Sequence, residues 1–301
     1  MNFDVVGFGA LNIDKLYKVN RIADSDEAGI VRDYNEFCGG SSPNSIVNLA
    51  KFGLETGMIG KIADDREGDL HLSEFEEWDV DTSGIILSKV GRSGSAIGYV
   101  DAEGERAFYV DPGVNDEIRL GEIDLEYLER AKWLHLSSFV GEEAFEVQKE
   151  IVEELDDSVK ISLDPGCIYA QKGLDSLKPI LERTSLFFPN ESELKTLTSD
   201  KVKEGAHRIV ELGVDIVAVK LGGEGSFITD GEEEYKIDSR SVDVVDTTGA
   251  GDAFNSGFLY GVLNGKGLQE CGEMGVLAAS KCITSMGGRL DFDNLPDLED
   301  F

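Results

Sequence analysis

The sequence predicts an α/β fold in which a mostly parallel central sheet carries helices on both of its faces. From residue 123 onward, short apolar runs alternate with helical stretches, and this alternation is typical of β-α-β units and a parallel sheet. The 301 residues are 41% hydrophobic with scattered glycines, so the chain can bury a substantial core. We expect one domain over residues 1–301. The strands predicted in this part lie at residues 133–136, 159–163, 186–188, 216–219 and 226–228.

A further strand is predicted at residues 3–8, where it runs into a glycine turn. The pair Gly7 and Gly9 suggests a dinucleotide-binding motif and hence an oxidoreductase, but Asn12 stands where the third glycine belongs. The next acidic residue, Asp14, follows Asn12 by two positions, whereas a dinucleotide-binding motif has its acidic residue about 20 positions further on. We interpret Asp14 as a carboxylate at a strand end that can accept hydrogen bonds from the hydroxyls of a polyol. A solvated loop aspartate is the alternative.

Two regions are predicted to be extended and to lie outside the main alternation. Residues 15–37 contain alternating apolar and polar positions broken by turns, and residues 92–112 contain a hairpin. Its two strands, 96–100 and 106–110, are joined by a turn rich in acidic residues and glycine.

Between these regions, glycines precede a predicted helix that ends at Gly53. Gly40 lets substrate hydroxyls approach the backbone, and Asn44 offers a hydrogen-bond donor and an acceptor together. The sequence therefore predicts a binding site for a hydroxylated ligand at this helix start.

The stretch at residues 242–258 is predicted to be a buried strand, a glycine turn and a helix. The strand is indicated by the apolar β-branched residues Val242, Val244 and Val245. Gly249 and Gly251 let an anion approach the main chain at the positive end of the helix. Asp252 in this turn can accept a proton while the amides hold negative charge. The alternative is that Asp252 only caps the helix.

This stretch closely resembles the C-terminal signature of the ribokinase and phosphofructokinase-B family of sugar and nucleoside kinases. Residues 38–45 and 57–68 are similar to the N-terminal signature of the same family, glycine for glycine. The resemblance implies a ribokinase-like three-layer sandwich in which segments 15–37 and 92–112 form a small β-sheet lid over the sugar site. Ser41 and Pro43 occupy a region where some ribokinases have a lysine, so the resemblance does not assign ribose as the acceptor.

The resemblance also implies roles for individual residues. Asp252 is the expected base for a substrate hydroxyl, and the amides of the glycine turn stabilise the transferred group. The turn amides belong to Gly249, Ala250 and Gly251, and the candidate substrate-binding residues are Asp14, Gly40, Asn44 and Arg106.

ATP and Mg²⁺ are the expected cofactors. Ligands of parallel sheets lie at the carboxyl ends of strands. Asn190 and Glu193, three residues apart at such an end, are expected to hold Mg²⁺ mostly through water, and helix capping is the alternative. The other candidate nucleotide contacts are Lys220, Gly222, Gly225, Thr248 and Ala279. Core packing explains the small residue Ala279 equally well.

Asp246 and Thr248 match a site that binds a monovalent cation in several relatives, so K⁺ is a further candidate. The Walker A pattern is absent from the sequence, which excludes a P-loop enzyme.

The charge of the chain is strongly negative, with 60 Asp and Glu against 28 Lys and Arg and a net charge of −32. Such a surface repels nucleic acid and anionic lipid, so we expect neither as a partner. It suits high salt, where repulsion is screened. The four cysteines and three histidines are scattered, which supports no zinc site and no histidine-based triad. We expect a cytoplasmic protein without a membrane span and an exposed acidic stretch at residues 290–301.

We therefore predict an ATP-dependent kinase that transfers the γ-phosphate to a hydroxyl of a small sugar, as a ribokinase or fructokinase does. A nucleoside kinase of the same family and a non-catalytic sugar-binding regulator on the same fold are the alternatives. The resemblance also makes a homodimer through the lid possible.

Overall fold

A computed structural model describes residues 2–101, 103 and 105–291 and, for Arg106, the backbone alone. The strands are β1 (Phe3–Phe8), β2 (Asn12–Val19), β3 (Val31–Gly39), β4 (Thr56–Ala63), β5 (Ile85–Ser88), β6 (Gly94–Val100), β7 (Arg106–Asp111), β8 (Ala131–Ser137), β9 (Lys160–Asp164), β10 (Thr184–Phe187), β11 (Ile216–Lys220), β12 (Ser226–Thr229) and β13 (Glu234–Ile237). The helices are α1 (Ser41–Lys51), α2 (Arg66–Glu77), α3 (Leu125–Glu129), α4 (Glu142–Glu154), α5 (Gly166–Lys172), α6 (Leu174–Leu181), α7 (Glu191–Thr198), α8 (Val202–Val210), α9 (Ala250–Leu263) and α10 (Leu268–Cys282).

The large sheet has nine strands in the order β13-β12-β11-β10-β9-β8-β1-β4-β5. The strands from β11 to β5 are parallel, whereas β12 and β13 are antiparallel at one edge. The prediction of a mostly parallel sheet is thus confirmed. The strand predicted at residues 226–228 exists, but its assignment to a β-α-β unit is wrong. It follows β11 after five residues and forms a hairpin with it, because a parallel crossover needs a longer connection.

Apolar side chains fill both faces of this sheet, which makes the molecule a three-layer sandwich. One face packs against α3 to α8 around residues such as Phe8, Phe145 and Tyr169. The other face packs against α1, α2, α9 and α10, with Phe188 and Phe258 in its core. Among the described residues, none of the helices is long and apolar enough to cross a membrane.

The smaller sheet has the strand order β3-β2-β6-β7 and is the predicted lid. Strand alternation divides its side chains between two faces. One face carries residues that line a cavity, namely Asp14, Leu16, Phe37, Ala96 and Phe108. The other face carries a row of tyrosine rings, Tyr34, Tyr17, Tyr99 and Tyr109, with neighbouring centroids 4.8, 5.4 and 6.4 Å apart. The lid therefore offers a ligand-facing surface and an aromatic outer surface.

The strand predicted from the valines at 242, 244 and 245 is not formed. Val244 and Val245 are 58% and 56% exposed, and the backbone here bonds to the end of α10, with the amide of Val245 donating to the carbonyl of Ile283 at 2.8 Å. Val242 and Val244 line a cavity. A run of apolar β-branched residues is equally suited to a strand and to a ligand cavity, which is why the pattern misled.

The predicted exposure of the C-terminal stretch is wrong at Leu290, which is 1% exposed. Its amide donates to Oδ1 of Asn48 on α1 at 2.9 Å. Residues 292–301 lie outside the described part of the chain, as do Ala102 and Gly104 of the predicted hairpin turn.

Candidate active site

Two helix starts meet beside the carboxyl ends of the central strands. Helix α1 begins after Gly40, whose φ is 97°, and α9 begins after Gly249, whose φ is 71°. A Cβ atom at Gly249 would lie 2.1 Å from the carbonyl oxygen of Gly288, so only glycine fits this turn. The hydroxyl of Ser45 on α1 donates to the carbonyl of Asp252 on α9 at 3.3 Å, and the carbonyl of Ser45 lies 3.1 Å from the hydroxyl of Ser256 on α9. The two helices are therefore fixed to each other near their starts.

Asp252 lies in the first turn of α9, but its carboxylate is held by α1. Ser41 Oγ donates to Oδ1 of Asp252 at 2.7 Å, and Asn44 Nδ2 donates to Oδ2 at 2.8 Å. The residue at the cap position of α9 is Gly249, and no side chain caps this helix. Helix capping, the alternative reading of Asp252, is therefore not its role.

The environment of Asp252 suits a base that works near neutral pH. Burial, with a smaller contribution from the nearby carboxylate of Asp164, raises the pKa of Asp252 to about 7, although the hydrogen bonds from Ser41 and Asn44 and the charge of Lys220 act in the opposite direction. A carboxylate with a pKa near 7 accepts a proton far more readily than an ordinary aspartate.

A small cavity of about 80 Å³ lies between the lid and the turn before α9. It is lined by Asp14, Phe37, Phe108, Thr248 and Gly287, among others. Burial raises the pKa of Asp14 to about 6, with Arg289 lowering it and Asp246 raising it. Asp14 thus lines a small cavity, and its role in binding hydroxyl groups stays a prediction.

The other predicted substrate-binding residues lie in different settings. Asn44 contacts Asp252 through its Nδ2 and receives a hydrogen bond on Oδ1 from Arg289 Nε at 3.0 Å. Gly40 is packed so closely that a Cβ atom there would lie 2.2 Å from the carbonyl oxygen of Ala10. The side chain of Arg106 lies outside what the structure describes.

A large cavity of about 570 Å³ lies on the opposite side of the turn before α9. Its lining brings together four of the residues predicted to contact a nucleotide, Lys220, Gly222, Gly225 and Ala279, with Ala250 and Gly251 of the turn. Asn190 is not part of this lining. Thr248 instead lines the small cavity. The turn from Thr247 to Gly251 therefore separates the two cavities.

Lys220 reaches the edge of the large cavity but is also part of a buried ion pair. Its Nζ lies 2.6 Å from Asp164 Oδ2, which accepts a second hydrogen bond from Asn255 Nδ2 at 2.7 Å. Burial disfavours the charged ammonium, but Asp164 and Glu193 outweigh this and raise the pKa of Lys220. A Cβ atom at Gly251 would lie 3.3 Å from Nζ, so the positive charge stands beside the turn amides.

Asn190 and Glu193 form a reciprocal capping box at the start of α7. The amide of Glu193 donates to Asn190 Oδ1 at 2.9 Å, and the amide of Asn190 donates to Glu193 Oε2 at 2.8 Å. Burial and the charge of Asp164 raise the pKa of Glu193. The two carboxylates of Asp164 and Glu193 thus outnumber the one ammonium of Lys220, which fits an additional cation nearby.

Direct metal ligation by a side-chain cluster is not found in the described part of the chain, where no three His, Cys, Asp or Glu side chains could hold an ion together. The Mg²⁺ site beside Asn190 and Glu193 stays a prediction, in which the ion is bound mostly through water, as Mg²⁺ commonly is.

Asp246 and Thr248 form a tight turn just before α9, beside the segment that follows α10. Oδ1 of Asp246 accepts hydrogen bonds from the amide and hydroxyl of Thr248 at 3.0 and 2.8 Å, and Oδ2 accepts one from the amide of Gly287 at 3.1 Å. This carboxylate binds two residues that line the small cavity, Thr248 and Gly287, and its role in binding K⁺ stays a prediction.

Three residues of the site were not assigned their roles from the sequence. Ser41 binds the carboxylate of Asp252, Asn255 binds Asp164, and Arg289 binds Asn44. The position of Asp164 directly after a strand was a usable signal for that residue. Arg289, in a stretch without periodicity, carried no signal.

Comparison with known proteins gives consistent results at the levels of sequence and structure. The sequence model of the pfkB family carbohydrate kinases matches residues 2–295. A sugar kinase of Archaeoglobus fulgidus, named as uncharacterized, is 46% identical over 246 residues, which cover 81% of this chain and 97% of that protein. The ATP-dependent ribose-1-phosphate kinase of Halopiger xanaduensis is 31% identical over 257 residues, covering 85% of this chain and 83% of that protein. The crystal structure of the ribokinase from Thermotoga maritima, at 27% identity, superimposes with a TM-score of 0.86 and covers 99% of this chain and 97% of that chain.

Proposed function

The chain belongs to the pfkB family of carbohydrate kinases, and from this premise we propose that it transfers the γ-phosphate of ATP to a hydroxyl group of a small sugar. Its general reaction is phosphoryl transfer to an alcohol group, as in the sugar kinases that it resembles. One observation carries the proposal: the turn from Thr247 to Gly251 lies between a small cavity with a free carboxylate and a large cavity with a glycine-rich lining.

The residues on the two sides of this turn bind different substrates. Asp14 binds hydroxyl groups of the acceptor in the small cavity. The large cavity takes the nucleotide, with Gly222, Gly225 and Ala279 around it and Lys220 near its phosphates. Since phosphoryl transfer depends on positioning and on stabilising charge, a turn with exposed amides between the two sites is well placed.

In the proposed reaction, Asp252 accepts the proton of the attacking hydroxyl. The hydroxyl oxygen forms a bond to the γ-phosphorus while the bond to the leaving ADP oxygen breaks. Amides of the Gly249–Ala250–Gly251 turn stabilise negative charge on the transferring group. The amide of Ala250 also donates to the carbonyl of Thr247 at 3.3 Å, so the amide of Gly251 is the better-placed donor. Asn190 and Glu193 would hold Mg²⁺ mostly through water, and the ion would neutralise charge on the phosphates.

The acceptor is proposed to be a pentose or a phosphorylated pentose. The volume of the small cavity suits a single sugar ring better than a nucleoside, and a relative that is 31% identical is named as a ribose-1-phosphate kinase. Asp252 with its complete set of partners speaks against a non-catalytic regulator. A nucleoside kinase is the second candidate because a nucleoside kinase of Methanothermobacter thermautotrophicus is 24% identical over 98% of this chain.

A panel of acceptors with an ADP-coupled assay tests the proposal. It contains ribose, ribose 1-phosphate, fructose, inositol, cytidine, adenosine and guanosine. We expect ADP to form fastest with one of the two ribose compounds. Faster turnover of a nucleoside would select the second candidate. ATP binding without ADP formation on any acceptor would indicate a regulator.

Four further properties are part of the proposal. We infer K⁺ as a second cation at Asp246 and Thr248, adaptation to high salt, a cytoplasmic location where ATP is supplied, and a homodimer. The dimer is supported by large apolar and aromatic side chains exposed on the lid, among them Val31, Tyr34 and Tyr109, because such patches mark association surfaces. Sedimentation analysis checks it: Tyr109→Glu should lower the dimer fraction, and a wild-type monomer at all concentrations would contradict it.

A further inference from the structure

Arg289 is a buried cation that the sequence did not predict to bind either the acceptor or the nucleotide. It is 9% exposed and belongs to the segment that follows α10. Its Nε donates to Asn44 Oδ1 at 3.0 Å, and its Nη1 forms an ion pair with Glu74 on α2. A guanidinium is costly to bury without partners, and here the carboxylate of Glu74 and the amide oxygen of Asn44 offset that cost.

The contact with Asn44 determines which way the amide of that residue points. A side-chain amide has an accepting oxygen and a donating nitrogen. With Arg289 donating to Oδ1, the Nδ2 group is directed at Asp252, to which it donates at 2.8 Å. The flipped amide would place its oxygen against a carboxylate and its nitrogen against a guanidinium. Both of those contacts are repulsive, so Arg289 selects one orientation.

Arg289 does not contact the contents of the two cavities of the site. Its terminal nitrogens are buried, and it is absent from the linings of the small and the large cavity, although it lines a third cavity of about 420 Å³ beside α2. Any effect of Arg289 on the proton acceptor therefore passes through Asn44.

The segment that carries Arg289 is fixed along one face of α1. The residues of α1 that hold it are Asn44, Asn48 and Lys51, which bind Arg289 Nε, the amide of Leu290 and the carbonyl of Leu290. Positions four and seven residues apart lie on the same side of a helix. This fixes the guanidinium in register with Asn44.

We propose that Arg289 is a positioning residue, which holds the Asn44 amide so that its N–H group faces the carboxylate of Asp252. This inference rests on the proposed function, in which Asp252 is the base. Without Arg289 the amide can rotate and Asp252 loses one of its two hydrogen-bond donors.

The charged groups near Asp252 lie on other elements. Asp164 on β9 and Lys220 on β11 act on its carboxylate through their charges. Burial and, after it, the charge of Asp252 raise the pKa of the Cys282 thiol on α10. Arg289 itself acts directly on Asp14 instead. For this reason, an effect on Asp252 has to be measured separately from an effect on acceptor binding.

Arg289→Met tests the proposal through the pH dependence of kcat at saturating acceptor and ATP. We expect kcat to fall by about 10-fold to 100-fold, the usual cost of losing a supporting contact. The KM for ATP should stay unchanged, and the acidic limb of the kcat profile should move to higher pH, because Asp252 loses a hydrogen bond that favours its charged form. An acidic limb at the wild-type position would overturn the proposal.

Lys51→Met is the matched control, since Lys51 holds the same segment from the same face of α1 without touching Asn44. It should lower the melting temperature and leave the acidic limb in place. In an Asn44→Ala background, Arg289→Met should cause no further shift of the limb. A full shift in that background would also overturn the proposal, since Arg289 would then act without Asn44.

Two additional measurements keep the outcomes distinct. If Arg289→Met does not fold, Glu74→Gln replaces it, because this change removes the charge that pairs with the far end of the guanidinium. We expect a smaller shift of the acidic limb in the same direction. An acidic limb that does not shift at all would contradict the proposal. If Asp252→Asn leaves kcat unchanged, the proposed function fails. If Asp252→Asn lowers kcat but Arg289→Met does not move the limb, only the inference about Arg289 fails.

Discussion

The acid–base behaviour of Asp252 depends on groups that reach it from α1, β9 and β11. Ser41 and Asn44 donate to its two oxygens, while Asp164 and Lys220 act on it through charge. Burial opposes the charged form, and the hydrogen bonds favour it. The balance leaves a carboxylate that changes protonation near neutral pH, which is where a proton acceptor is most effective.

The pH dependence of the reaction follows from these shifts. The pKa of Asp252 is raised to about 7, and the base works only when it is deprotonated. Below that pH, kcat should therefore fall about 10-fold for each pH unit. The pKa of Asp14 is raised to about 6, so the KM for the acceptor should rise only at lower pH. Initial rates at saturating and limiting acceptor separate the two, and a kcat that is constant through pH 7 would refute the first.

Single residues could be predicted where a local pattern carried the signal. Asp252 and Gly251 stand in one short motif, and Lys220 and Gly222 follow a strand end, so their place at the site was accessible from the sequence. The hydrogen bond between Asp252 and Ser41 was not accessible in this way, because Ser41 lies 211 residues away along the chain. No local pattern encodes a contact over that distance.

Whole elements show the same division between local and non-local information. The central strands and the lid hairpin were predicted because alternation and turn residues are local properties. The valines before Gly249 satisfied the same pattern but line a cavity. The pairing direction of β12 also depends on its neighbour, which its own residues do not specify.

The start of α7 combines capping with the proposed metal site, and Glu193→Gln separates the two. Glutamine keeps an oxygen that accepts from the amide of Asn190, but it lacks the charge and the second acceptor, which binds Asn190 Nδ2 at 2.8 Å. We expect the Mg²⁺ concentration for half-maximal activity to rise about 10-fold, with a small change in melting temperature. Activity as a function of Mg²⁺ measures this effect.

Glu191→Gln is the control for this prediction, because Glu191 is exposed in the same first turn of α7. It removes the same charge without touching the capping box and should leave the Mg²⁺ dependence unchanged. If Glu193→Gln lowers stability but not the apparent Mg²⁺ affinity, the residue serves only the helix.

The charge of the whole molecule acts on its stability. A net charge of −32 opposes compaction, and the range of this repulsion falls from about 30 Å at 0.01 M salt to about 3 Å at 1 M. Most ion pairs in the described part are at least partly exposed, and such pairs contribute little. Screening of repulsion should therefore outweigh the weakening of these pairs.

Melting temperature should accordingly rise from low to molar KCl in the absence of nucleotide. A salt of a large cation at equal ionic strength is the control, and a larger rise with KCl would support a K⁺ site at Asp246 and Thr248. The KM for ATP is expected to rise at the same time, because salt also screens Lys220. A melting temperature that is constant or falls with KCl would contradict the salt-adaptation proposal.

The central claim, that Asp252 accepts the proton in phosphoryl transfer, is tested most directly by Asp252→Asn with the best acceptor of the panel. Asparagine keeps the shape but does not take up the proton, so kcat should fall by about 10²-fold to 10⁴-fold. ATP should still raise the melting temperature of this variant. Asp243→Asn, an exposed change in the preceding loop, should keep the wild-type rate. An Asp252→Asn enzyme that retains more than half of the wild-type kcat would contradict the account.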